Sequence, residues 1–281
     1  MQLYTIHSGF FKLDGGAMFG IVPKTIWQKT NPADENNLCT LAMRCLLIEN
    51  GDRLILVDTG IGDKQDDKFF NHYYLHGEHS LIGSINCAGF SSDEITDVFL
   101  THLHFDHCGG AISRNKNNRK LELTFKNARY WSNQPHWKWA TNPNSRERGS
   151  FLKENILPIQ ESGQLHFIDL DRPSPFEEFE IFTVDGHTDK QMLLKIPSGD
   201  RVIVYVADLL PTSSHIPIPY LMSYDIRPLL SVDEKILFLN QAVEKEYILF
   251  FEHDPQIECC TLKETEKGVR MDRNFNLNEI L

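Results

Sequence analysis

Apolar runs that break off at a polar or charged residue recur along this chain. Arg53-Leu54-Ile55-Leu56-Val57 stops at Asp58-Thr59-Gly60, Val98-Phe99-Leu100-Thr101 at His102, and Glu180-Ile181-Phe182-Thr183-Val184 at Asp185-Gly186-His187-Thr188. Arg201 to Ala207 stops at Asp208, and Tyr247-Ile248-Leu249-Phe250-Phe251 at Glu252-His253-Asp254-Pro255. Runs this short and this rich in β-branched and aromatic residues predict buried strands. Layered α/β proteins keep their sites at the carboxyl ends of such strands, so the residues that end the runs are the first candidates for chemistry.

Helical signals lie between the runs. Ser91 to Glu94 reads as a capping box opening a short helix, and Ser231 to Glu234 as one opening a longer helix. In the second, Val232, Ile236, Leu239 and Val243 share one face, which predicts packing against a sheet. Thr261-Leu262-Lys263 and Gly268-Val269-Arg270-Met271 flank a polar turn and predict a closing hairpin. Low-complexity linkers and a clear domain break are absent, so the expectation is a single α/β domain over 1–281, with a lid or insertion around 130–165. That stretch carries Tyr130, Trp131, His136, Trp137 and Trp139, followed by polar Asn142 to Arg148.

The densest chemistry is His102-Leu103-His104-Phe105-Asp106-His107. Alternate positions of an extended chain point to one side, so His102 and His104 can grip one ion together. Asp106 and His107 then turn away and suit a second ion, at the spacing that two-metal hydrolases use. Gathering this many ionisable groups in a core without a metal would be costly. Ligands that are all imidazole or carboxylate suit zinc, and also manganese, iron or cobalt.

The order of these groups resembles the metallo-β-lactamase superfamily, whose pattern is His-x-His-x-Asp-His, then His in a Gly-His-Thr turn, then Asp, then His. The resemblance runs from about Gly15 to about Pro255. It implies an αββα four-layer sandwich, two β-sheets face to face with helices outside and the metal site at one edge. It assigns His102, His104 and His187 to one metal, Asp106, His107 and His253 to the other, and Asp208 as a bridge between two divalent ions, zinc by default. Asp58 becomes a residue that orients the ligands or accepts a proton from one of them.

Asp106 and Asp208 become the catalytic carboxylates, with Asp106 passing a proton to the leaving group. A water held between two metals has its pKa lowered from about 16 towards neutrality, so no protein nucleophile is needed. Where the family has a small residue and a glycine after Gly-His-Thr, this chain has Asp189 and Lys190. The acyl-homoserine-lactone hydrolases of the superfamily carry a tyrosine three residues after the bridging aspartate, and here Pro211 stands there.

In the lactonase-like branch an amino-terminal loop lies near the active site, which makes Met18 and Phe19 of Asp14 to Gly20 candidates to contact substrate, and the short distance in sequence from the bridging Asp208 makes His215 another. A glycine-rich hairpin with ordinary core residues, and a surface histidine, are the plain alternatives. Fewer than thirty residues follow His253, too few for the carboxyl-terminal helical region of hydroxyacylglutathione hydrolases, and there is no room for the flavodoxin-like domain of flavodiiron proteins. The remaining branch holds lactonases and enzymes resembling methyl parathion hydrolase.

A formal net charge of −11 argues against nucleic-acid or anionic-membrane partners, which would require clustered Lys and Arg. Six cysteines, Cys39, Cys45, Cys87, Cys108, Cys259 and Cys260, form no disulfide or zinc-knuckle spacing. The start has no basic stretch followed by an apolar core, and no run is long enough to span a membrane, so a cytoplasmic protein with free thiols is expected. The partner expected is a small molecule, with a homodimer left open. Two functions from different classes follow: a dinuclear metal-dependent hydrolase of a small ester, lactone or phosphotriester, or a non-hydrolytic metal protein, a di-iron redox site or sensor, on the same fold.

Overall fold

The computed structural model describes residues 1–115, 117–177 and 179–280. Its helices are α1 (Gly15–Phe19), α2 (Lys24–Trp27), α3 (Asp67–Tyr73), α4 (Leu81–Cys87), α5 (Phe105–Cys108), α6 (Gln134–Thr141), α7 (Lys153–Glu161) and α8 (Pro228–Glu244). The chain divides into two compact units, Met1–Gly9 with Met43–Pro175, and Phe10–Ala42 with Phe176–Leu281.

The first unit is organised by a six-stranded sheet of β1 (Gln2–Asp14), β2 (Leu38–Asn50), β3 (Arg53–Val57), β4 (Asp97–Phe99), β7 (Arg129–Asn133) and β8 (Leu165–Ile168), in that order; β5 (Ile112–Arg114) and β6 (Leu121–Leu123) form a separate ribbon. Of these, β1 and β2 begin or end in residues of the other unit. β2 and β3 form an antiparallel hairpin in which Leu46 faces Val57, whereas β3, β4, β7 and β8 run parallel, with Val57 beside Phe99 and Phe99 beside Trp131. Parallel strands must return by crossovers, and α3, α4, α6 and α7 fall in those connections. Val98, Phe99 and Leu100 are wholly buried. Burial of each such side chain contributes about 1.5–3 kcal/mol, which holds the turn that follows β4 on a rigid base.

The second unit has a mixed sheet of β9 (Glu180–Val184), β10 (Gln191–Ser198), β11 (Arg201–Tyr205), β12 (Ile248–Phe250), β13 (Cys259–Lys263) and β14 (Arg270–Phe275), hydrogen-bonded in that sequence. β11 and β12 are parallel, with Tyr205 beside Phe250. β13 and β14 form the expected closing hairpin. Each unit is thus one mixed sheet with helices, the half from which an αββα fold is built.

Two helix expectations are corrected. α8 begins at Pro228, three residues before Ser231, because proline at the first helical position loses no hydrogen bond there. Its buried face is Ser231, Lys235, Phe238, Leu239 and Ala242, whereas Ile236 is 39% exposed. The Ser91 capping box is real, but it opens only a single 3-10 turn at Ser92–Glu94, since Asp97 starts β4 directly afterwards. The Asp14–Gly20 stretch is the short helix α1, capped by Asp14 on the backbone N–H of Ala17 at 2.8 Å.

Among the described residues, no helix is long and apolar enough to cross a membrane.

Candidate metal centre

In the first unit, Asp58 leaves the end of β3 and His102 to His107 leave the end of β4, so the parallel pairing of these strands brings both to one sheet edge. Asp58 is fully buried and its carboxylate is divided among three donors: Thr101 N (2.8 Å), Thr101 Oγ1 (2.7 Å) and His107 Nδ1 (3.2 Å). Thr101 Oγ1 spends its proton on Asp58, so it accepts from His102 Nδ1 at 3.1 Å. The network therefore assigns the Nδ1–H tautomer to both His102 and His107, leaving Nε2 of each as a lone pair.

His104 is arranged the other way round. Its Nε2 faces the buried Glu147 carboxylate at 3.6 Å, and its Nδ1 lies 3.1 Å from His102 Nε2. With its proton on Nδ1, His104 donates to His102 Nε2; with the proton on Nε2, facing Glu147, the two facing lone pairs would suit a cation between them. His102 and His107 rings lie 3.9 Å apart at their centres, and Asp106 Oδ2 is 3.9 Å from His107 Nε2. His102, His104, Asp106 and His107 are all less than a tenth exposed, so the unit gathers four ligand-type groups in a dry place.

In the second unit Asp208 follows β11 in a turn where Ala207 has φ +38°. With its amide turned to accept, Gln191 Oε1 receives Asp208 N (3.0 Å) and Leu209 N (3.2 Å), which fixes that turn. Asp208 directs one carboxylate oxygen at His187 Nε2 (3.0 Å) and the other at His253 Nε2 (3.2 Å). Each histidine has its far nitrogen held by oxygen: His187 Nδ1 by Asp225 (3.0 Å) and His253 Nδ1 by the carbonyl of Ala42 (2.8 Å). Burial disfavours a charged His187, yet the flanking Asp208 and Asp225 carboxylates outweigh it and push its pKa up to about 10. Two carboxylates closing on one buried ring make a position suited to a cation.

The turn carrying His187 is fastened to α8 and the segment before it. Glu234 accepts from Asp185 N (2.6 Å) and Gly186 N (3.0 Å), Arg227 N donates to Gly186 O (2.9 Å), and Arg227 pairs with Asp189 (2.8 Å). Gly186 has no room for a side chain, because a Cβ would meet Ser231 N at 2.6 Å and overlap Ser231 Oγ.

Met18, Phe19 and His215 also come together in the second unit, each 1% exposed. Phe19 stacks on His215 with ring centres 4.7 Å apart and on Trp27 at 5.2 Å. His215 Nδ1 bonds Thr212 Oγ1 (2.8 Å) and Nε2 bonds Met18 O (2.9 Å), while burial depresses its pKa to about 3. His215 is accordingly a neutral ring with both nitrogens engaged.

Several participants escaped sequence reasoning. Thr101, Asp225, Glu147 and Gln191 match no motif and are identified only by what they touch, and Glu234, expected as part of a capping box, instead holds the Asp185 and Gly186 amides. Tyr73 is another: its ring packs on Phe105 at 4.7 Å, and burial together with the Asp106 charge pushes its hydroxyl up to about 12.

The Metallo-beta-lactamase superfamily model matches residues 44–243, well over half the chain. An N-acyl homoserine lactonase of Bacillus thuringiensis is 30% identical over 83 residues, 26% of this chain and 33% of that protein, so the match spans only about a third of its length. A probable metal-dependent hydrolase from Staphylococcus aureus, known from its crystal structure, superposes with a TM-score of 0.88 at 25% identity, covering 98% of this chain and 96% of that one. AidC, a dizinc quorum-quenching lactonase solved with a product, superposes at 0.79 with 24% identity over 98% and 95%. A family match of this extent, over a chain whose fold superposes along nearly its whole length, means that the chain belongs to the metallo-β-lactamase superfamily.

Proposed function

We propose that this protein is a dinuclear metal-dependent hydrolase of a small lactone, ester or phosphotriester. His102, His104 and His187 are the ligands of one divalent ion, Asp106, His107 and His253 those of the other, and Asp208 is shared. The observation that carries this reading is the state of the rings. His102, His107, His187 and His253 each have one nitrogen hydrogen-bonded to an oxygen, and the other turned towards a further ligand-type group within the same unit. Metal-ligating histidines are held in this way.

Two ions at these ligands would supply an activated water and polarise the substrate oxygen. Zinc is the first choice, from the donor set and from the two zincs of AidC; manganese, iron and cobalt suit the same donors. The chain's own residues do the rest. Asp208, with one oxygen towards each of two histidines, is arranged as a shared carboxylate. Asp58 keeps His102 and His107 in their tautomers through Thr101 and by direct contact. Asp106 passes a proton to the leaving group. Phe69 and Tyr73 pack on Phe105 at 5.4 and 4.7 Å, next to Asp106, and form an apolar surface for the acyl or aryl part of a substrate. Lactones lead the substrate classes because lactonases are among the relatives in both sequence and structure.

The test is turnover by metal-quantified protein of a panel of acyl-homoserine lactones, simple lactones, aryl esters and aryl phosphotriesters, with added zinc, manganese or cobalt. Turnover of one class that chelation abolishes, metal restores and Asp208→Asn removes supports the reading. Silence across the panel with two metals bound, or bound iron with oxygen-dependent colour, overturns it in favour of the non-hydrolytic alternative.

A further inference from the structure

The segment from Asn133 to Phe151 lies between the ligand clusters in sequence and holds none of the proposed ligands. It nevertheless meets the ligand-bearing turn of the first unit at successive residues. His136, on α6 and wholly buried, accepts the backbone N–H of Leu103 on its Nε2 at 2.9 Å. Glu147, 3% exposed on an otherwise open loop, faces His104 Nε2 at 3.6 Å, an electrostatic rather than a hydrogen-bonding distance. The carbonyl of Ser150 accepts from Phe105 N at 2.9 Å. Leu103, His104 and Phe105 are thus addressed one after another.

Each contact is itself supported. Asn133 caps α6 by accepting His136 N at 2.8 Å, and the His136 ring lies 5.9 Å from Phe151 and 6.4 Å from His102, centre to centre. Glu147 Oε2 accepts from Trp139 Nε1 (2.7 Å) and Asn144 Nδ2 (2.6 Å), which leaves Oε1 turned to His104. The Leu103 amide sits between two proposed ligands, and His136 can accept it only as a neutral ring with its proton on Nδ1. Charge matters at the other contact, because an anion opposite Nε2 favours the tautomer that leaves His104 Nδ1 as a lone pair towards His102.

We propose that His136 and Glu147 are positioning residues that preset the His102-Leu103-His104 turn for its metal ion. His136 fixes the backbone between the two ligands, and Glu147 fixes which nitrogen of His104 is offered. The inference rests on the metal-centre reading above and assigns the 133–151 segment a task in building that centre.

The test uses the full chain and four variants, His136→Phe, His136→Gln, Glu147→Leu and Glu147→Gln, read by zinc affinity in chelator competition, by the visible spectrum of the cobalt(II) form, and by amide exchange at Leu103 in metal-free protein. His136→Phe keeps a ring but no acceptor, while His136→Gln restores an oxygen near the Nε2 position. The expected result is a loss of about 10- to 100-fold in zinc affinity for His136→Phe and Glu147→Leu, the range seen when groups that orient metal ligands are removed. A changed cobalt spectrum and faster Leu103 exchange accompany it in His136→Phe, with substantial recovery in His136→Gln. Glu147→Gln falls between Glu147→Leu and wild type.

Wild-type affinity and spectrum in His136→Phe and Glu147→Leu overturn the inference alone, as does a His136→Gln variant no better than His136→Phe. Wild-type protein that takes up no metal overturns the functional reading and this inference with it. Thermal melts of the metal-free variants identify any that fail to fold, and His136→Gln, the gentler change, then carries the comparison through Leu103 exchange.

Discussion

Lys190 closes the turn that carries His187 by giving the Asp185 carboxylate both its backbone N–H, at 2.9 Å, and its Nζ, at 2.8 Å. It does so at φ +54°, a left-handed conformation that glycine adopts freely and lysine does not. The glycine of the family pattern is thus replaced by a strained residue that two hydrogen bonds hold in place. With 36% and 27% of the two side chains exposed, the ion pair itself is worth little after solvent screening. Lys190→Gly is therefore expected to leave stability within about 1 kcal/mol of wild type and metal uptake intact. Asp185→Ala, which leaves the strain and removes both bonds, should lower zinc affinity. Thermal melts with zinc titration decide between these outcomes.

Gly186→Ala should be worse than either, because the added methyl group meets Ser231 on the rigid helix α8. The turn must move away from the helix, taking His187 with it. A loss of about 1–3 kcal/mol is expected from overpacking, with weakened metal binding, measured by denaturant unfolding of apo and metal-loaded protein. An unchanged apo stability would show that the turn yields freely.

Thr101→Val keeps the shape of the side chain and removes the hydroxyl that links Asp58 to His102. Metal affinity is expected to fall about 10-fold or more, while the far-ultraviolet dichroism stays that of wild type. Equal affinity in competition with a chelator would mean that His102 is oriented by packing alone.

Asp97 supplies an acid-sensitive anchor remote from the ligands. It is 3% exposed and accepts from Arg53 Nε (3.1 Å) and Nη2 (3.0 Å), Trp131 Nε1 (2.7 Å) and Thr96 Oγ1 (2.7 Å). Burial raises its pKa, but the donors, Arg53 foremost, outweigh burial and hold it below the usual carboxylate value. A depressed carboxyl contributes stability that is fully present above its unfolded pKa, about 3.9, and is lost as pH falls through the lower folded value. Asp97→Asn should therefore lose stability near neutrality and show a flatter decline below about pH 4. Denaturant midpoints across pH 2–7 test this, and parallel curves for the two proteins would contradict it.

Lys235 is buried on α8 and donates to the carbonyls of Pro217 (3.1 Å), Ile218 (3.3 Å) and Tyr220 (2.8 Å). Its ammonium gathers a loop that lies just after His215, although burial lowers its pKa to about 7. Lys235→Met leaves those carbonyls without their donor and is expected to cost about 1–3 kcal/mol, read as a lower denaturant midpoint. No change would mean that water replaces the ammonium.

The strands were legible in advance because a buried strand needs an unbroken apolar run and little else. Arg53–Val57 and Glu180–Val184 are strands at the expected bounds, although Glu180–Val184 is not the buried strand expected, since it lies at the sheet edge with only Val184 buried, and Arg201–Tyr205 is shorter because Ala207 turns the chain towards Asp208. Helix α8 was misjudged because Ser231 and Glu234 have the spacing of a capping box but other tasks. Ser231 lies in the buried first turn against Gly186, and Glu234 holds the Asp185–Gly186 amides. Such use of a polar side chain is set by what packs opposite it, which neighbouring letters do not record.

The amino-acid sequence by itself determined the strand-forming runs, the types and order of the ligand candidates, and the chemistry those side chains can perform. These depend on residue identity and on spacings of a few residues, so they survive reading in one dimension. Tertiary structure alone decided which oxygen holds each ring and which nitrogen is left for a metal. Apart from Thr101, next to His102, those partners lie far apart in the chain: His107 and Asp58 are separated by 49 positions, His187 and Asp225 by 38, and His253 and Ala42 by 211. A hydrogen bond acts only within about 3 Å, and only folding brings residues so distant in sequence to that range.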